Sequence, residues 1–170
     1  MSGVLSRWNL LPTEEAAKEI LPCCGSRAWA NSMAFSRPVE DVATLLATSD
    51  RIWRDLSAAD WLEAFQSHPR IGETERPRES AARFLSWSAE EQSHAAESDD
   101  SLKQALAQGN REYEQRFHRI FIICATGKSA DEILANLRHR LNNDEATELR
   151  EAAEQQRQIA EMRLRKWLAE

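Results

Sequence analysis

The sequence predicts an all-α fold, a single compact domain of about eight or nine helices. Three observations predict it. Ala, Leu, Glu, Gln and Arg are abundant, and only five glycines and five prolines interrupt them. Apolar residues recur at three- and four-residue spacing over long stretches. Only residues 120–125, Ile-Phe-Ile-Ile-Cys-Ala, look like a strand, and one strand has nothing to pair with. At 170 residues the chain is long enough to bury a core. No repeat, low-complexity stretch or linker marks a second domain, so residues 1–170 read as one.

Taken in order, Pro12-Thr13-Glu14-Glu15 starts a helix with acidic residues in its first turn, running to about Cys24 and stopped by Gly25. Ser26 caps a second helix that ends before Pro38 and puts Trp29, Met33 and Phe35 in the core. Residues 39–56 carry Val42, Leu45, Leu46, Ile52 and Trp53 at helical spacing. Ser57 caps residues 58–66, whose face of Trp61, Leu62 and Phe65 delivers His68. Residues 72–80 are charged and turn-rich, the expected mobile segment. A short helix through Ala81, Ala82, Phe84 and Leu85 follows. Ser88 and Glu91 then have capping-box spacing, opening a long helix to Ala107 that Gly109 punctuates. Tyr113 and Phe117 mark another helix, and residues 120–125 read as a buried helix end or an extended linker. A second capping box, Ser129 with Glu132, opens a helix through Ile133, Leu134 and Leu137. Asn142-Asn143 makes a turn. The last helix, 144–168, shows one continuous face of Leu149, Ala153, Gln156, Ala160, Arg163 and Trp167.

Composition narrows the function. A net charge of −6 without a long basic cluster argues against nucleic acid as partner. The apolar run 120–125 is far too short to span a bilayer, and residues 1–15 hold no apolar stretch of signal-peptide type. Cys23, Cys24 and Cys124 cannot all pair and read as reduced thiols, pointing to the cytoplasm. With His94, His118 and His139 they form no ligand pair, so no metal is expected. Ala125-Thr126-Gly127-Lys128-Ser129 resembles the end of a phosphate loop, but the required first glycine is Ile122.

Three charged residues stand in unusual places. His68 precedes Pro69, which disfavours the α conformation before it, so His68 belongs at a helix stop where the dipole favours imidazolium. That makes it a candidate proton donor, although His-Pro also serves simply to end a helix. Glu91 fits a capping box, and a helix N-terminus also keeps a carboxylate ionised as a partner for His68 or a ligand. Arg163 shares the inward face with Ile159, Ala160 and Trp167. Its head either snorkels outward or turns in toward an anion, for which guanidinium suits a carboxylate.

Six segments, in this order, resemble the 2-oxo-4-hydroxy-4-carboxy-5-ureidoimidazoline (OHCU) decarboxylase family over nearly the whole chain. They are Leu21-Pro22-Cys23-Cys24-Gly25-Ser26 with Trp29-Ala30, His68-Pro69-Arg70-Ile71-Gly72-Glu73, residues 88–92, residues 121–129, residues 137–142 and Arg163-Leu164. The resemblance implies an all-α homodimer without cofactor that converts a small ureidoimidazoline acid to (S)-allantoin at the end of the urate-to-allantoin route. It also implies His68 as catalytic histidine, Glu91 as active-site glutamate and Arg163 as the arginine near the end of the last helix. Substrate contacts then fall on Pro69, on Ser88, Ala89, Glu90, Glu91 and Gln92, and on Phe121, Ile122, Ile123, Cys124 and Ala125. One departure is visible: the family commonly has Phe-Gly where this chain has Phe117 followed by His118-Arg119. Two other readings remain open, a helical protein-binding module and a hydrolase of a neighbouring purine-degradation intermediate.

Overall fold

The computed structural model describes residues 3–72, 82–93 and 99–170, except for the side chains of residues 82 and 84. Glu73, the rest of the expected mobile segment, Ala81, His94 and the Phe84 side chain lie outside the described residues. Among the described residues there are nine α-helices and no strand. They are α1 (Gly3–Leu10), α2 (Thr13–Ile20), α3 (Arg27–Phe35), α4 (Val42–Asp55), α5 (Ala58–Gln66), α6 (Ala82–Glu91), α7 (Asp100–Phe117), α8 (Ala130–Arg140) and α9 (Glu145–Trp167). Contacts group into two compact units, Met1–Ala64 with Arg157–Glu170, and Phe65–Gln156.

In the first unit α2 packs on α3 and α3 on α4. Its core is rich in tryptophan, because a large ring with one polar handle fills space while its N–H finds an acceptor. Trp8 donates to the Ala16 carbonyl at 2.9 Å, Trp29 to Ser49 Oγ at 3.2 Å and Trp167 to Glu19 Oε1 at 3.1 Å. Trp8 and Trp167 meet edge to face, centroids 5.7 Å apart. Ser26 caps α3 through the Trp29 amide, as its position predicts. Phe35 is the exception to the predicted core: it is 77% exposed, one residue beyond the buried stripe that Trp29 and Met33 begin. The predicted 13–24 helix tightens after Ile20 into a 3-10 turn at Leu21–Cys23, where Pro22 has no N–H to give, and Gly25 turns it at φ 86°. Asp41 caps α4, so that helix starts at Val42 and not at Val39. Helix α1 is an element that sequence patterning did not reveal.

The second unit is built around Tyr113, whose ring lies 4.8 Å from Phe117 and 5.2 Å from Phe121, among Leu106, Ile133, Leu134 and Leu137. Helix α7 runs unbroken through Gly109. A Cβ there would sit 2.6 Å from Leu137 Cδ2, so the glycine is a notch that admits α8 and not a helix stop. The Ser129–Glu132 capping box is present in both directions. The last helix forms as its periodicity predicts, with Ala153 and Gln156 buried in the second unit and Ala160, Arg163 and Trp167 buried in the first.

Candidate active site

His68 lies just past the end of α5, its amide donating to the Phe65 carbonyl at 3.2 Å, and it is only 8% exposed. The imidazole Nε2 sits 2.6 Å from Oε1 of Gln156, a wholly buried side chain on α9. Residues 70–72 are each tied down. Arg70 grips the Glu114 carboxylate on α7 with both Nε and Nη2, at 2.5 and 3.0 Å. Ile71 enters the core and its carbonyl accepts from Asn110 Nδ2 at 3.0 Å. Gly72 turns at φ 82° and its amide donates to Gln92 Oε1 at 3.3 Å. The His-Pro-Arg-Ile-Gly motif is thus a short fixed strap, not only a helix stop.

The Ser88–Glu91 capping box is not formed. Both residues belong to α6, with Glu91 at its C-terminal end, and the Gln92 amide continues the helical pattern by donating to the Ser88 carbonyl. Spacing alone misled here because the helix begins earlier, by residue 82. The argument that a helix N-terminus holds Glu91 ionised falls with it, since a C-terminus repels negative charge. Ser88 is buried, Glu91 and Gln92 are half-buried, and Ala89 and Glu90 are exposed.

Residues 121–125 lie outside any helix and are buried, with no strand beside them among the described residues. Buried backbone groups need partners, and side chains supply them. Arg140 Nη1 donates to the Ile122 carbonyl at 2.7 Å, with its guanidinium over the Phe121 ring at 4.5 Å. Gln155 Oε1 accepts from the Cys124 amide at 2.9 Å, and Lys128 Nζ donates to the Cys124 carbonyl at 2.7 Å. Arg140 is in turn held by Glu148, a fully buried carboxylate that also accepts from Tyr113 and Asn143. Gln155 and Gln156 are consecutive on α9, so one turn of that helix binds both the His68 ring and the non-helical segment.

Arg163 belongs to the first unit. It does not snorkel: it is 1% exposed and Nη1 reaches the Pro22 carbonyl at 3.4 Å. Nearby Cys24 is wholly buried, which pushes its thiol up to about 12 despite the guanidinium charge that works against this. All three cysteines are buried, and none of them forms a disulfide. No group of three or more His, Cys, Asp or Glu among the described residues is placed to hold a metal ion. Sequence reasoning missed Gln155, Gln156 and Arg140 as site-builders. For Gln156 a signal existed, a polar residue in register on an otherwise apolar face.

Comparison with known proteins agrees with this architecture. The sequence profile described as OHCU decarboxylase matches residues 9–165. The chain is 39% identical over 145 residues to the uric acid degradation bifunctional protein TTL of Arabidopsis thaliana, covering 85% of this chain and 44% of that protein. It is 29% identical to 2-oxo-4-hydroxy-4-carboxy-5-ureidoimidazoline decarboxylase of Haloferax volcanii, covering 76% of this chain and 74% of that one. This chain therefore spans less than half of the plant protein's length. Its structure superposes on a crystal structure of OHCU decarboxylase in the presence of (S)-allantoin with a TM-score of 0.77 and 36% identity, covering 89% of this chain and 98% of that one. A crystal structure of (S)-allantoin synthase, 19% identical with a TM-score of 0.70, shares the fold. The chain belongs to the OHCU decarboxylase family.

Proposed function

We propose that this chain decarboxylates 2-oxo-4-hydroxy-4-carboxy-5-ureidoimidazoline to (S)-allantoin in urate degradation, with His68 as proton donor and no cofactor. The observation that carries the reading is the α9 turn at Gln155–Gln156, which fixes a buried imidazole and a buried run of backbone outside regular structure together. Such a site suits a small planar molecule rich in amides, for which backbone donors and acceptors are the natural partners. Loss of carbon dioxide leaves an electron pair on the ring carbon, and a proton delivered to one face of it sets the configuration. General acid catalysis of that kind is worth about 10²–10⁴-fold.

In this reading Pro69 and Ser88 through Gln92 shape one side of the pocket, and Glu91 holds the substrate's polar edge. Backbone groups of residues 121–125 bind the ureido or ring amides. Arg163 takes the role its family position implies, neutralising the carboxylate or a developing oxyanion. The reading extends to one domain that works as a homodimer in the cytoplasm. It is in keeping with three buried cysteines that form no disulfide.

The test generates the substrate freshly from urate with urate oxidase and hydroxyisourate hydrolase and follows product by circular dichroism. Wild-type protein gives faster decay to a single enantiomer, and folded His68→Asn gives slow, racemic decay. Unchanged decay with wild type refutes the activity, and full-rate single-enantiomer product from His68→Asn refutes the role of His68.

A further inference from the structure

The geometry points to Gln156 as a positioning residue that fixes which nitrogen of His68 carries the reactive proton, an inference that rests on the proposed decarboxylation. A carboxamide oxygen can only accept. With Gln156 Oε1 at 2.6 Å, His68 Nε2 holds a hydrogen in both the neutral and the protonated ring. The proton that the imidazole gains and loses is then the one on Nδ1. In the chemical step the C–CO₂ bond breaks and its electron pair stays on the ring carbon. The Nδ1–H bond breaks as the new C–H bond forms, carbon dioxide departs and neutral imidazole remains, to be reprotonated by solvent.

The setting explains why a glutamine serves. Gln156 is wholly buried on α9 and its neighbour Gln155 is occupied by the Cys124 amide, so the side chain works from a fixed base. A carboxylate in its place would hold the imidazolium too tightly to release its proton, and an apolar side chain would leave the ring orientation unfixed. Ionisable groups on the described elements of the same unit include Arg70 with its partner Glu114, Glu91 at the end of α6, Cys124 and Lys128, the Arg140–Glu148 pair, and Glu151 and Glu154 on α9 itself. All of them are unchanged in variants of position 156, so a difference among such variants belongs to that position.

The experiment is a pH titration of ¹⁵N-labelled protein by two-bond ¹H–¹⁵N spectra, with the His68 signals assigned by their loss in His68→Asn. In the wild type the neutral ring reads as the Nε2–H form, and an Nδ1–H form overturns the proposal without need of any variant. Gln156→Glu raises the His68 midpoint by about one pH unit or more, as a carboxylate beside an imidazolium does. Gln156→Met, similar in volume, lowers it. Midpoints that coincide in all three proteins overturn the proposal, because a merely structural side chain does not move them in opposite directions. In turnover, Gln156→Met loses about tenfold or more in kcat with KM nearly unchanged, on the scale of other orienting partners of a reactive histidine. The spectra read the pairing whether or not the protein turns over, so failure of the decarboxylation and failure of the pairing are seen separately.

Discussion

Glu148 accepts four hydrogen bonds and donates none: from Tyr113 Oη at 2.5 Å, from Arg140 Nε and Nη2 at 2.9 and 2.5 Å, and from Asn143 Nδ2 at 2.9 Å. It is 0% exposed and Arg140 is 3% exposed. Burial and the neighbouring carboxylate both push the Tyr113 phenol above its ordinary range, so it stays a donor. Glu148→Gln changes few atoms, yet it puts an NH₂ where only acceptors fit and leaves the Arg140 charge buried without its counterion. Breaking a buried pair in this way costs about 3–5 kcal/mol, and the one retained oxygen argues for the lower end. For 170 residues at about 2.1 cal/mol/K each, the unfolding entropy is about 0.36 kcal/mol/K, so a 3 kcal/mol loss lowers Tm by about 8 °C. Urea unfolding measures the free energy and calorimetry the Tm. A loss under about 1 kcal/mol refutes the reasoning. A second arm separates stability from site-building. Arg140→Met with Glu148→Leu and Tyr113→Phe removes every charged or hydroxyl member of the cluster and recovers most of the stability. Turnover stays depressed, because the Ile122 carbonyl has lost its donor.

Two further outcomes test smaller features. His118 ends α7 at φ 54°, a conformation that costs an ordinary residue about 1–2 kcal/mol, whereas glycine adopts it freely at an entropic cost of about 0.5–1 kcal/mol. His118→Gly therefore raises Tm by about 2 °C, and a lowered Tm shows that the exposed imidazole has a role the backbone argument omits. The cap carboxylates Asp41, Glu132 and Asp144 lie below their ordinary values of 3.8 for Asp and 4.5 for Glu, chiefly because backbone N–H groups donate to them. Their contribution is present above those values and is lost as pH falls through the lower folded ones, so stability drops on acidification below about pH 4. Replacing Asp41 and Asp144 by Asn, a comparable cap, flattens that limb while leaving neutral-pH stability nearly unchanged. An unaltered acid limb counts against the assignment.

Much of this was legible in the sequence. Helices with long, regular apolar spacing and a side-chain cap, such as α3, α8 and α9, were readable because caps and periodicity are local and agree with each other. Helix α1 escaped because eight residues with Leu5 and Trp8 buried carry too little pattern. Gly109 misled because propensity sees a helix breaker, while the deciding fact, the approach of Leu137, is tertiary. Glu91 misled because capping-box spacing also occurs inside a helix. The position of His68 followed from Pro69, but its partner lies 88 residues away. Arg163 was recognised by register, and only the structure decided which way its head turns.

The non-helical segment has a cost beyond the site it builds. Residues 120–125 are six uncharged, mostly β-forming residues without proline, the composition of stretches that stack into fibrils when exposed. Among the described residues no strand shields their backbone; the clasps of Arg140, Gln155 and Lys128 do. Arg119 and Lys128 stand close on either side as charged gatekeepers. Damage to the Arg140 clasp thus releases a sticky strand as well as lowering stability. Heat-induced loss of such variants is expected to be irreversible, and in a cell it shows as insoluble protein before it shows as slow enzyme.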